Sequence, residues 1–313
     1  MEHHWANGPC HAHGIIYSFL GTAAQANNEQ WNNWCMRLCA FTLDVDRDVN
    51  QAKKGQSEAV SQPLPGEPGE FRFSSSMRGL EMIVDLLDEL GIKATFFLEG
   101  ETLREISRSM DVEDLLRGHE VASHGVCHED ITGESTGICL TGPKVAKVLE
   151  ESAIIIEDVC SVPPKGFRAP YLHINNDTLA ALAKLGYVYD SSLTREIIGG
   201  GIHPYRLDNG LWEVPLASGL DSRGKRIVSY LWPMHEGKRR PEDYRHMGGQ
   251  VKDGLLVLAT HSWHVVETFG EGRLPEERVN SSMADLRSVL EGLLDQGMAF
   301  TTIKHHLESH GDS

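Results

Sequence analysis

The stretch Leu38-Cys39-Ala40-Phe41-Thr42-Leu43-Asp44-Val45-Asp46 runs almost wholly apolar and then ends on two carboxylates. With Met36 before it, the run reads as a strand buried on both faces, the kind found inside a parallel sheet. A second run, Ala94-Thr95-Phe96-Phe97-Leu98, has the same character. Between the two, Met77 to Leu90 carries apolar residues at helical spacing, with serines before it and Gly91 after it. A third strand, Glu120 to Ser123, leads into Ser123-His124-Gly125-Val126-Cys127-His128.

The alternation continues along the chain. Helices are expected over Thr102 to Leu116, Lys144 to Val159, Asp177 to Leu185 and Ser282 to Leu294. Strands are expected over Gly166 to Arg168, Tyr187 to Tyr189, Leu211 to Leu216, Leu255 to Thr260 and Met298 to Thr302. Such alternation predicts an α/β fold of parallel βα units in a barrel or an open sheet. No internal repeat is visible, and one domain over 34–313 is expected, preceded by an extension over 1–33. A long loop is expected between Gln51 and Gly69, which holds three prolines and three glycines. Residues 194–249 are less regular and read as an insert or lid, with Trp232, His235 and a basic Lys238-Arg239-Arg240 run.

Composition narrows the function. The 313 residues are 40% hydrophobic and 24% charged, which is ordinary for a globular protein. A net charge of −16 argues against binding a nucleic-acid backbone or an anionic membrane surface. No stretch approaches the length needed to span a bilayer, and no basic-then-apolar leader opens the chain. Six scattered cysteines do not form a disulfide framework, so a reduced, cytoplasmic protein is expected. A small-molecule or oligosaccharide substrate fits these totals, and a homo-oligomer is compatible with them.

The ionisable groups cluster where expected strands end. Asp44 and Asp46 close the first strand, His124 and His128 follow the third, and Arg168, Asp190 and His261 follow later ones. In βα barrels, catalytic groups gather at that face because every strand delivers a loop there. One carboxylate and two imidazoles can hold a metal ion with open positions, the equipment of a hydrolytic metal enzyme. A histidine pair alone is more often a pair of satisfied polar residues. The carboxylates and His261 shift the balance toward a metal. The group His3, His4, Cys10, His11 and His13 lacks regular spacing and reads as a tail. Arg47 beside Asp48 reads as a solvated ion-pair face.

The order of motifs resembles one family. Thr42-Leu43-Asp44-Val45-Asp46, then Ser123 to His128, then Arg168-Ala169-Pro170-Tyr171, then His261-Ser262-Trp263 are similar to the polysaccharide deacetylases, carbohydrate esterase family four. The likeness is nearest to the branch of cytoplasmic peptidoglycan-deacetylase-like and allantoinase-like proteins. Gly186 to Ser192, Pro204-Tyr205-Arg206 and Leu211 to Pro215 match further recurrent segments. The likeness runs from about Met36 to Thr302.

The resemblance implies a single-domain distorted (β/α)7 barrel and a divalent cation, zinc first, with cobalt, nickel or manganese as alternatives. It assigns Asp46, His124 and His128 as ligands and Asp44 as general base, although a supporting role for Asp44 has the same spacing. Arg168 would hold Asp44 ionised, and a surface salt bridge is the competing reading. The backbone N–H of Tyr171, after Pro170, would hold the oxyanion. His261 would protonate the leaving nitrogen, with His264 competing for that role. Trp212, Trp263 and Leu258 would wall the acyl pocket or be plain core. Many members carry an Asp three residues after the position of Asp190, where this chain has Leu193, so Asp190 or another group must tune the acid. The expected activity is N-deacetylation of an N-acyl sugar or related amide. The alternatives are an allantoinase-like cyclic-amide hydrolase and a catalytically silent barrel used for binding.

Overall fold

The computed structural model describes residues 37–66 and 71–310. The expected extension over 1–33, with its histidines and Cys10, lies outside the described residues. The elements that position the site are, in chain order, strand β1 (Arg37–Val45), helix α1 (Ser74–Leu90), strands β2 (Thr95–Leu98) and β3 (Glu120–Ser123), and helix α2 (Gly142–Cys160). Next come β4 (Gly166–Phe167), α3 (Asn176–Lys184), β5 (Tyr189–Asp190), β6 (Trp212–Glu213), β7 (Leu216–Leu220), β8 (Asp253–His261) and α4 (Glu276–Asp295).

The strands lie in the order β6-β5-β4-β3-β2-β1-β8-β7, and each of these pairings is parallel. The two end strands of this parallel run are consecutive in the chain and separated only by Val214 and Pro215. The expected single strand Leu211 to Leu216 is therefore broken, since Pro215 has no N–H to give to a ladder. Its halves stand at opposite ends of the parallel run of one curled sheet, which is the seam of a distorted (β/α)7 barrel.

Period-2 alternation splits the core. From β1, Cys39, Phe41, Leu43 and Val45 face the helix layer, where Leu80, Ile83, Leu87, Leu286 and Leu290 pack on them. Ala40 faces the barrel interior with Phe97, Ala122, Val257 and Ala259. Small alanines on three strands leave the interior room for a long side chain at the mouth, and Arg168 fills it. Asp48 sits at the N-terminus of α1 and accepts from the Ser75 and Ser76 N–H groups at 3.0 and 2.7 Å. It is buried, and Arg47 is buried in a separate ion pair with Glu99, so the expected solvated Arg47–Asp48 face does not exist. Each group has its own buried partner, which offsets the cost of taking it out of water.

The segment 194–249 is woven into the fold. It supplies β7, which pairs with β8, and a bridge between Tyr230 and Ala259 ties it to β8 again. Cys39, Cys127, Cys139 and Cys160 are free thiols. Among the described residues no helix is long and apolar enough to cross a membrane.

Candidate active site

Register places the polar groups in one rim. Asp44 is opposite Phe97 on β2 and opposite His261 on β8. Leu98 pairs with Ser123, Ser123 with Phe167, and Phe167 with Asp190. His124 and Arg168 therefore sit one step beyond the same level, and their N–H groups extend the ladder to the Leu98 and Ser123 carbonyls at 2.9 and 3.0 Å.

The two histidines converge through a tight loop, without a helical turn. Gly125 has φ +79°, and a Cβ there would lie 2.6 Å from the Glu129 carboxyl. That carboxyl accepts from the Val126 and Cys127 N–H groups at 3.1 and 3.0 Å and folds the loop back. His128 itself is left-handed at φ 51°, a strained conformation for a non-glycine residue and one that gathers at functional sites.

Asp46, His124 and His128 each offer one ligand atom, and these atoms lie within 4.8 Å of one another. All three residues are buried. His124 Nδ1 donates to the Arg168 carbonyl at 2.8 Å, which leaves the Nε2 lone pair free. His128 Nε2 is 3.3 Å from Asp46 Oδ2, while its buried Nδ1 has no hydrogen-bond partner among the described residues. Burial lowers the basicity of both rings, His128 to about 4, which favours the neutral form that a metal ligand needs. Burial, with the charges of Glu99 and Asp44, pushes Asp46 well above the usual carboxylate range. Asp46 Oδ1 accepts from Trp263 Nε1 at 2.9 Å and Oδ2 from Asn50 at 2.5 Å. Two neutral imidazoles and one carboxylate fit a divalent cation of zinc type, whose charge would offset the cost of burying Asp46.

Asp44 is held differently. Burial alone would raise it, but the Arg168 guanidinium, nearby imidazoles and the Tyr230 hydroxyl bring it down to about 2. Arg168 Nη1 donates to Asp44 Oδ1 at 2.8 Å. Tyr230 OH lies 2.7 Å from Asp44 Oδ2 and 2.8 Å from His261 Nε2. One hydroxyl hydrogen can serve only one of these contacts, so the other needs a proton on Asp44 or on His261. Tyr230 thus joins the two groups. Sequence reading missed it, because nothing around Ser229-Tyr230-Leu231 marks it and only the bridge to β8 brings it here. The ring of Tyr171, left-handed at φ 58°, stands edge-on to His128 at 4.6 Å, with Pro170 beside the Gly125 turn.

His261 is stacked on Trp263 at 4.9 Å and keeps 14% of its side chain exposed, while His264 is wholly buried behind it. Three expected neighbours are not at the rim. Leu258 faces the helix layer, because alternation on β8 turns Val257, Ala259 and His261 inward and Leu258 outward. Trp212 lines a cavity of about 270 Å³ with Lys165, Lys304 and Leu307 and carries Arg206 over its ring, so it is no wall of the acyl pocket. Asp190 is spent on Ser192, at 3.1 Å to its N–H and 2.7 Å to its hydroxyl. Its bonds lead away from His261.

Residues 77–189 match the family model described as polysaccharide deacetylase. A bifunctional xylanase/deacetylase of Pseudobutyrivibrio xylanivorans is 30% identical over 95% of this chain and 35% of its own length. A peptidoglycan deacetylase-like protein of Gibberella zeae is 31% identical over 42% of this chain and 36% of its own. A peptidoglycan deacetylase of Helicobacter pylori is 29% identical over 46% and 50%. The chain thus spans between about a third and a half of these relatives. A Mycobacterium smegmatis protein described as a polysaccharide deacetylase shares the fold, with TM-score 0.54 and 23% identity over 90% of this chain and 98% of that one.

Proposed function

We propose a metal-dependent N-deacetylase acting on an N-acetylated sugar or a related amide, a reading supported by the match of residues 77–189 to the polysaccharide deacetylase model. The observation that carries this reading is the buried Asp46, His124 and His128 cluster beside an Asp44 locked by Arg168. A zinc ion, or a similar divalent cation, held by those three residues would supply Lewis acidity to an amide carbonyl and acidify water.

The chain's own groups supply the rest. Asp44, ionised at any working pH, takes the proton from the attacking water. Arg168 keeps that carboxylate oriented, with Nε on the Ser191 carbonyl at 3.0 Å and the ring of Phe97 under its guanidinium at 4.1 Å. The Tyr171 N–H receives the oxyanion. His261 Nε2 gives a proton to the leaving nitrogen, because His264 Nε2 faces away from the site. Once His261 Nε2 has given its proton away, the proton taken up at Asp44 passes through the Tyr230 hydroxyl to restore it, and the tyrosine leaves the transfer unchanged. Trp263 walls the site beside Asp46. The free thiols support a reducing, cytoplasmic compartment.

The test is acetate release from N-acetylglucosamine oligomers by protein loaded with zinc. Asp44→Asn should keep the metal and lose about 100-fold or more in turnover. His124→Ala should lose the metal itself, read by elemental analysis. Full metal retention in His124→Ala, or near-native turnover in Asp44→Asn, would remove the reading.

A further inference from the structure

We propose that Glu236 and His264 form a positioning pair that fixes the tautomer and orientation of His261, replacing the carboxylate this chain lacks after Asp190. The proposal rests on the reading of His261 as the proton donor. It also gives the segment 194–249 a part in the reaction.

The hydrogen bonds make the argument. Glu236 Oε1 accepts from the Phe269 N–H at 2.7 Å and faces His264 Nε2 at 3.3 Å. The Glu236 side chain is 5% exposed and that of His264 is fully buried. His264 Nδ1 lies 3.0 Å from His261 Nδ1. A carboxylate only accepts, so His264 Nε2 carries the hydrogen. In a neutral imidazole this leaves His264 Nδ1 bare, and His261 Nδ1 must donate to it. His261 Nε2 is then the nitrogen turned to Tyr230 and the site. The opposite order would set His264 Nε2 and Glu236 against each other as two acceptors.

Packing keeps the pair in place. His264 is stacked on His235 at 5.5 Å, touches Trp263 at 3.8 Å and meets the edge of Phe269 at 5.8 Å. Glu236 follows a short helix whose entry is tied to the strand that bears His261: the Leu231 N–H donates to the Ala259 carbonyl at 2.7 Å, and Ala259 N–H to the Ser229 carbonyl at 2.8 Å. Tyr230 therefore meets His261 Nε2 directly, and Glu236 meets its Nδ1 side through His264, both from one anchored stretch.

Leaving-group chemistry tests the pair. An amine must be protonated to depart, whereas the phenolate of 4-methylumbelliferyl acetate leaves without a proton. With zinc-loaded protein, Glu236→Ala and His264→Gln should lower kcat on tetra-N-acetylchitotetraose by about 10- to 100-fold. KM and the ester rate should stay within about threefold. Glu236→Gln, whose amide oxygen can still accept from His264, should recover most of the loss. Independently of any activity, nitrogen-15 signals of the wild-type histidines should show His261 carrying its hydrogen on Nδ1, and Glu236→Ala should mix the tautomers. Equal loss of amide and ester turnover in Glu236→Ala, or a wild-type His261 with no hydrogen on Nδ1, overturns the proposal. A wild-type protein that cleaves neither substrate sinks the deacetylase reading instead, and the nitrogen signals then decide the pair alone.

Discussion

Arg168 uses its planar fork in full: Nη1 reaches Thr42 Oγ1 at 2.9 Å as well as Asp44, Nη2 reaches Ser191 Oγ at 3.0 Å, and Nε takes a carbonyl. A lysine offers one point charge and cannot reproduce that geometry. Arg168→Lys should therefore keep the metal and lose about 10- to 100-fold in kcat, read as acetate release beside elemental analysis. Unchanged turnover would make Arg168 a structural residue. Tyr230→Phe isolates the link between Asp44 and His261, since it deletes one oxygen and leaves the ring. It should lower kcat about 10-fold with KM nearly constant, and a wild-type kcat would show that the proton returns through solvent. These two residues also mark what a sequence can show. Arg168 is legible because the next residues, Ala169-Pro170-Tyr171, form a local motif with it. Tyr230 acquires its role 186 residues away from Asp44, and Glu236 faces His264 across 28 residues, with no local pattern around either.

At the scale of elements, the long regular pieces were readable and the interruptions were not. The helix expected over Thr102 to Leu116 is two short ones, Gly100–Ile106 and Val112–Leu115, because Asp111 accepts from the Asp114 N–H at 3.0 Å and starts a second helix. Apolar spacing survives such a break, so periodicity alone cannot show it. The contact of α1 with the turn after β8 carries more consequence. A Cβ on Gly79 would lie 1.9 Å from the Ser262 carbonyl oxygen and 3.2 Å from Val265. Backbone cannot yield there as a flexible side chain could. Gly79→Ala should push the helix from the turn that holds Trp263 and His264, costing about 1–3 kcal/mol as overpacking. In a domain of this size that lowers the melting temperature by roughly 3–10 °C. Turnover should fall with it, and a variant with native melting and native rate would show that the two elements are not pressed together.

Across the whole molecule, buried groups of opposite kind hold the acid response in balance. Burial brings His128 and His235 down to about 4, so each is neutral in the folded protein where the unfolded chain already binds a proton. Between pH 6.5 and 4 such histidines weaken the fold as pH falls, because the unfolded state takes up the extra protons. Burial acts the other way on carboxylates. Glu129 is raised to about 7 and Asp48 to about 6, so their contribution is fully present below the unfolded carboxylate value and is lost as pH rises through those figures. The two trends oppose each other over the same window, and the overall pH profile conceals both. A single replacement separates them. His235 is buried away from the metal ligands, with Nδ1 at 2.9 Å from Ser282 Oγ and Nε2 at 3.1 Å from Thr260 Oγ1, bonds a glutamine can partly keep. Going from pH 7 to 4.5, wild type should lose on the order of 2–3 kcal/mol relative to His235→Gln, measured by urea unfolding at each pH. Parallel profiles for the two proteins would mean that His235 titrates normally.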